Sequence, residues 1–199
     1  MKELTIIFVS KEEKQFDSDL HWLIQAFEHG DEFASHVAVS FDYLTGYGPV
    51  ILEALGEGVV LSDIAKYDHT PKQCRLSIEL TDEQYDAVEK KAVEIAELKM
   101  AYSFKSVLLG GIADTCSRRL ANFLAKILRA DVDKQMDCSE VGSTLVKAAF
   151  GDKTLVGTSS SLSQITPWKL YVMLLQDNIM GNIHITNAQF YRESVKEDK

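Results

Sequence analysis

Positive charge, cysteine, proline and long apolar runs are all scarce in this chain. Its 21 Lys and Arg stand against 30 Asp and Glu, a formal net charge of −9 over 199 residues. Binding driven by release of counterions from phosphates needs clustered Lys and Arg, so nucleic acid is excluded as a main partner. The pairs Lys90-Lys91 and Arg118-Arg119 read as solvated helix surface. No stretch reaches the ~18 apolar residues of a membrane-spanning helix. The run Leu4 to Val9 is too short, and too closely followed by Lys11-Glu12-Glu13-Lys14, for a signal peptide. The 3 cysteines, Cys74, Cys116 and Cys138, are an odd number without CxxC spacing, which fits free thiols in a reducing compartment. A cytoplasmic protein without an integral membrane segment is expected. There is no HExxH or CxxC for a metal, and neither GxGxxG nor GxxxxGK[ST] for a nucleotide, so no cofactor is implied. His21, His29, His69 and His184 read as surface or satisfied residues rather than ligands.

With 46% hydrophobic residues and no internal repeat, the chain can bury one core, and residues 1–199 are expected to form a single domain. Leu4 to Val9 reads as a strand. A helix is expected from Leu20 to Phe27 behind Asp17-Ser18-Asp19, closed by Gly30, so that residues 1–30 form a strand-helix addition. Ala34 to Phe41, Val50 to Ala54 and Val59 to Leu61 alternate between glycine-bearing turns, an antiparallel and barrel-like meander. A polar loop with Tyr67, Asp68, His69 and Pro71 precedes Gln73 to Leu80, whose apolar phase is Cys74, Leu76, Ile78 and Leu80.

Helices dominate the remainder. Thr81 and Gln84 form a capping box for a helix to about Leu98, whose Tyr85, Val88, Ala92, Ile95 and Ala96 suit a core or a docking face. Ser117 to Leu128 carries another apolar face after the break at Gly110-Gly111. Asp137-Cys138-Ser139 should start a helix reaching Phe150 and ending at Gly151, and Thr166-Pro167 should cap one through Leu175. A last short piece is expected at Ile183-His184-Ile185, and residues 193–199 read as a charged tail. The fold class is α+β, an antiparallel sheet packed against helices.

Three separated pieces could make a thiol hydrolase. A cysteine attacks as thiolate, and a helix start favours the thiolate through unpaired amides and the positive end of the dipole, where Cys138 is expected. His36 and Glu53 lie on strands that would pair, so the histidine could take the proton while the glutamate orients its ring. Cys74 falls on the apolar phase of its strand, and Cys116 lacks a comparable cap. Glu57, in a turn, is a second candidate orienter, and Trp168 reads as packed.

The order Ser35-His36-Val37-Ala38-Val39, then Glu53-Ala54 with Gly58-Val59, then Cys138-Ser139-Glu140 resembles the circularly permuted papain-like amidases. These are the permuted branch of the NlpC-type hydrolases, the YaeF/YiiX-like group. The resemblance spans roughly residues 34 to 150, with Thr166-Pro167-Trp168 beyond it, and covers nothing in residues 1–30. It implies a permuted papain-like fold, Cys138 as nucleophile, His36 as base and Glu53 as orienter. It also implies a place for Tyr102 near the oxyanion, although Ser103 follows where the family commonly has an aspartate. Hydrolysis of peptide or isopeptide amides, as in cell-wall peptides, is the activity implied. A thiol acyltransferase, as in the related lecithin:retinol acyltransferase group, or a non-catalytic binding module on the same fold are the alternatives, and the oligomeric state is left open.

Overall fold

The computed structural model describes residues 2–10, 34–56, 58–70, 73–98, 101–102, 135–162 and 165–191. Eight strands and three α-helices lie among them. The strands are β1 (Lys2–Val9), β2 (His36–Leu44), β3 (Gly48–Leu55), β4 (Gly58–Asp63), β5 (Gln73–Leu80), β6 (Ala101–Tyr102), β7 (Gln135–Met136) and β8 (Ile185–Tyr191). The helices are α1 (Asp82–Leu98), α2 (Cys138–Phe150) and α3 (Pro167–Ile179). The helix expected from Leu20 to Phe27, the one from Ser117 to Leu128, Cys116, Glu57, His21, His29 and the tail 193–199 lie outside the described residues.

Six strands form one sheet in the order β4-β3-β2-β1-β5-β8, and every neighbouring pair is antiparallel. The meander β2-β3-β4 forms as the turn residues require, with Gly46 and Gly48 at φ of 85° and 77° in the first hairpin, a region open to glycine. β4 and β8 are the two edges of the sheet and do not pair with each other, so the barrel-like curl expected from the alternation stays open among the described residues. β8 is a further difference. The short piece expected at residues 183–185 continues to Tyr191, because pairing with β5 supplies the hydrogen bonds that its mostly exposed side chains give no reason to expect.

Alternation of side chains divides the sheet into two faces. Leu4, Ile6 and Phe8, then Val37, Val39 and Phe41, then Cys74, Leu76, Ile78 and Leu80 belong to the main core with the helices. Val88, Ala92 and Ile95 of α1 join it fully buried, so a single core accounts for the apolar face of that helix. Ile7, Val9, Ala38, Ile51 and Tyr67 make a smaller cluster on the other face. Ala38 pairs with Glu53 and His36 lies two residues before it, so both candidate residues rise from this second face.

Candidate active site

Glu53 is fully buried on β3, where an isolated carboxylate would be too costly to ionise. Four donors remove that cost. His36 Nε2 lies 2.9 Å and the Tyr67 hydroxyl 2.6 Å from Oε2, while Lys66 Nζ, 2.5 Å away, and the Ser62 hydroxyl both donate to Oε1. Each oxygen therefore receives two hydrogen bonds. Burial alone would raise the Glu53 pKa. The hydrogen bond and charge of His36, followed by the hydrogen bonds of Lys66 and Ser62, outweigh it and pull the group down to about 2. An ionised carboxylate can only accept, so His36 Nε2 donates in that bond, and Nδ1 is the ring nitrogen that Glu53 does not engage.

Local structure explains why these groups meet. Ser62 pairs with Ile51 on the next strand and stands diagonally beside Glu53. Asp63 then caps a 3-10 turn, Ile64–Tyr67, by accepting from the Ala65 amide at 2.8 Å, and the turn presents Lys66 and Tyr67 in succession. His36 opens β2 opposite Val9, and the Ser35 amide donates to the Val9 carbonyl at 3.0 Å, which anchors the strand start. His36 itself is only 5% exposed.

Cys138 is the first residue of α2, is buried and forms no disulfide among the described residues. The expected cap forms: Asp137 Oδ1 accepts from the Glu140 amide at 2.8 Å, and Gly151 ends the helix at φ 57°. Ser139 Oγ lies 2.8 Å from Asp137 Oδ1 and 2.5 Å from the Ile165 carbonyl, tying the helix start to the segment before α3. Both acidic groups of the cap are buried. Burial raises Asp137 to about 6, and burial together with the Asp137 charge raises Glu140 to about 8. Glu140 Oε2 has no hydrogen-bond partner among the described residues, a costly position for a charge and the reason the pair favours a proton.

Tyr67, in the cluster on the second face of the sheet, feels the charge of Cys138 at the start of α2. Its ring centroid is 6.3 Å from that of His36 and its hydroxyl donates to Glu53. Burial, the charge and hydrogen bond of Glu53, and the charge of a Cys138 thiolate all raise its pKa. His36, Glu53 and Tyr67 are thus bonded together, and Cys138 lies within electrostatic reach of Tyr67. Tyr102 pairs with Met136, two residues before Cys138, through the short parallel ladder β6-β7; its side chain is outside the described residues.

The remaining candidates fall elsewhere. Cys74 is buried in the main core, and burial pushes its thiol up to about 12, so it is inert at neutral pH. His69 is exposed, and His184 is an exposed partner of Glu79 at 2.7 Å. Trp168 stacks on Tyr171 with centroids 5.5 Å apart. No group of three or more metal-ligating side chains converges among the described residues, and no described helix is long and apolar enough to cross a membrane.

Sequence reading missed Ser62, Lys66 and Tyr67. Tyr67, expected in a polar loop, is 2% exposed beneath that turn. The Asp63 cap two residues before Ala65 was the local signal of a turn there, although nothing local identifies Glu53 as its target. Comparison with protein-family models, with curated proteins and with solved structures finds no match to this chain.

Proposed function

We propose that the protein is a cysteine-dependent hydrolase of peptide or isopeptide amide bonds with a permuted papain-like arrangement of Cys138, His36 and Glu53. The observation that carries this reading is the buried hydrogen bond from His36 Nε2 to an ionised Glu53, which leaves Nδ1 as the only basic nitrogen of the ring. In this reading Cys138 Sγ passes its proton to His36 Nδ1 and the thiolate adds to the substrate carbonyl carbon. The imidazolium then protonates the leaving amine nitrogen as the carbon-nitrogen bond breaks, giving a thioester. Water attacks that thioester, His36 takes its proton, and the acid departs as the thiol is restored.

The developing oxyanion would lie at the start of α2. Asp137 occupies the Glu140 amide through its side chain and the Val141 amide through its carbonyl. The Cys138 backbone amide, at the helix start, is the donor the reading needs, with Tyr102 as the second donor that the family resemblance suggests.

The test is the rate of alkylation of each thiol by a small haloacetamide across pH, with the modified cysteine identified by peptide mass spectrometry. Rapid modification of Cys138 below pH ~7, slowed in a His36→Ala variant, is expected, with Cys74 unreactive. A Cys138 that titrates as an ordinary thiol near ~8.5 would refute the nucleophile and favour a non-catalytic binding module on the same fold.

A further inference from the structure

We propose that Lys66 is a positioning residue of this site: it supplies the fixed positive charge that balances Glu53, and so lets His36 release its proton at a lower pH than it would beside an unbalanced carboxylate. The functional meaning of this inference rests on the hydrolase reading above, although its physical content does not.

The argument begins with the carboxylate. A histidine hydrogen-bonded to a buried, otherwise uncompensated carboxylate is held as imidazolium, because the opposite charge favours the protonated form. A base locked in its protonated form cannot accept a proton from a thiol. Here the two oxygens of Glu53 are divided between two donors: Lys66 Nζ sits 2.5 Å from Oε1, and His36 Nε2 2.9 Å from Oε2. The lysine therefore neutralises Glu53 without occupying the oxygen that holds the imidazole.

The geometry of Lys66 is constrained. Its side chain is 30% exposed, so the ammonium is partly withdrawn from water, and it lies 5.4 Å from the centroid of the Tyr67 ring. Asp63 fixes the turn that carries both residues. The other groups bonded to Glu53 are the neutral hydroxyls of Ser62 and Tyr67; Asp63 and Asp68 flank the turn, Asp68 paired with Arg75 of β5, and Cys138 of α2 acts on Tyr67. Among the described residues bonded to Glu53, Lys66 is the permanent cation, and its field acts in one direction: it disfavours a second positive charge on His36 and favours a negative one on Cys138.

The deciding experiment is an NMR titration of the His36 ring in the full chain and in Lys66→Met, Lys66→Gln and Lys66→Arg. Met and Gln should each raise the His36 midpoint by roughly one pH unit, and Arg should hold it near the wild-type value. Gln retains a donor to Glu53 without charge, so a shift common to Met and Gln reports the charge and not the hydrogen bond. An unmoved midpoint in folded Met and Gln variants overturns the proposal. Should neither neutral variant fold, the wild-type titration decides: a midpoint below about 7 supports a balanced carboxylate, and one above it overturns the proposal. Slow alkylation of Cys138 alongside a shifted His36 midpoint would remove the hydrolase reading and leave the role of Lys66 standing.

Discussion

Gly142 on α2 lies so close to Val37 on β2 that a methyl group on its Cα would come within 3.1 Å of Val37 Cγ1, and within 3.0 Å of Leu170 Cδ2. Val37 follows His36, and Gly142 stands one turn beyond Cys138 on the same side of the helix. The absence of a side chain at this point sets how near the helix and the strand can approach. Gly142→Ala should force α2 away by a few tenths of an ångström, costing about 1–3 kcal/mol of overpacking. Chemical denaturation reads the stability, and haloacetamide kinetics should show Cys138 slowed even where the variant is folded. An Ala variant that is more stable, with unchanged thiol kinetics, would contradict this account of the contact.

Glu53→Ala removes the common acceptor of His36, Ser62, Lys66 and Tyr67 and leaves a lysine beside an empty buried site. Breaking such a pair from one side costs about 3–5 kcal/mol. The urea midpoint should fall accordingly. Glu53→Gln, which keeps the volume, should retain more of the fold while losing the fixed orientation of His36, so its Cys138 alkylation profile should approach that of His36→Ala.

Tyr67→Phe removes one charge-assisted hydrogen bond to Glu53 Oε2 and keeps the ring in the second cluster. A loss of about 2 kcal/mol is expected. His36 retains its own bond to the same oxygen. Alkylation of Cys138 should therefore be disturbed less by this change than by Glu53→Gln, and the reverse order would assign Tyr67 a more direct place in the chemistry.

Stability should depend on pH through two opposed sets of carboxyls. Glu53 is lowered from its ordinary 4.5 to about 2, so its contribution is present above 4.5 and disappears as the pH falls toward about 2. Glu140 is raised by burial, and then by the Asp137 charge, from 4.5 to about 8, so the stability tied to its protonated form is complete below 4.5 and is lost as the pH rises through about 8. Melting temperatures should decline from about pH 5 to about pH 8, and Glu140→Gln, which cannot ionise, should flatten that decline. An equally steep decline in the variant would place the titrating group elsewhere.

The elements read correctly from the sequence are those whose signals are local. Thr81 and Gln84 form the reciprocal cap at 2.9 and 3.3 Å, α1 ends at Leu98, and α2 runs from the residue after Asp137 to Phe150. The apolar phase Cys74, Leu76, Ile78 and Leu80 points to the core because alternation along a strand decides its face without knowledge of its neighbours. The bond between His36 and Glu53 followed from pairing β2 with β3, a hairpin whose turn glycines are visible in the chain. Ser62, Lys66 and Tyr67 were not legible, because their convergence depends on β4 pairing with β3 and on the path of the turn after it. β8 was read short for a related reason. Its residues Ile185 to Tyr191 have little apolar periodicity, and the strand is sustained by the ladder to β5.

The short ladder between β6 and β7 sets Tyr102 beside Met136 in parallel register. Two residues before Cys138 the backbone is thus held in a ladder, and one residue before it Asp137 caps the helix, so two separate devices fix where α2 begins and with it the position of the thiol.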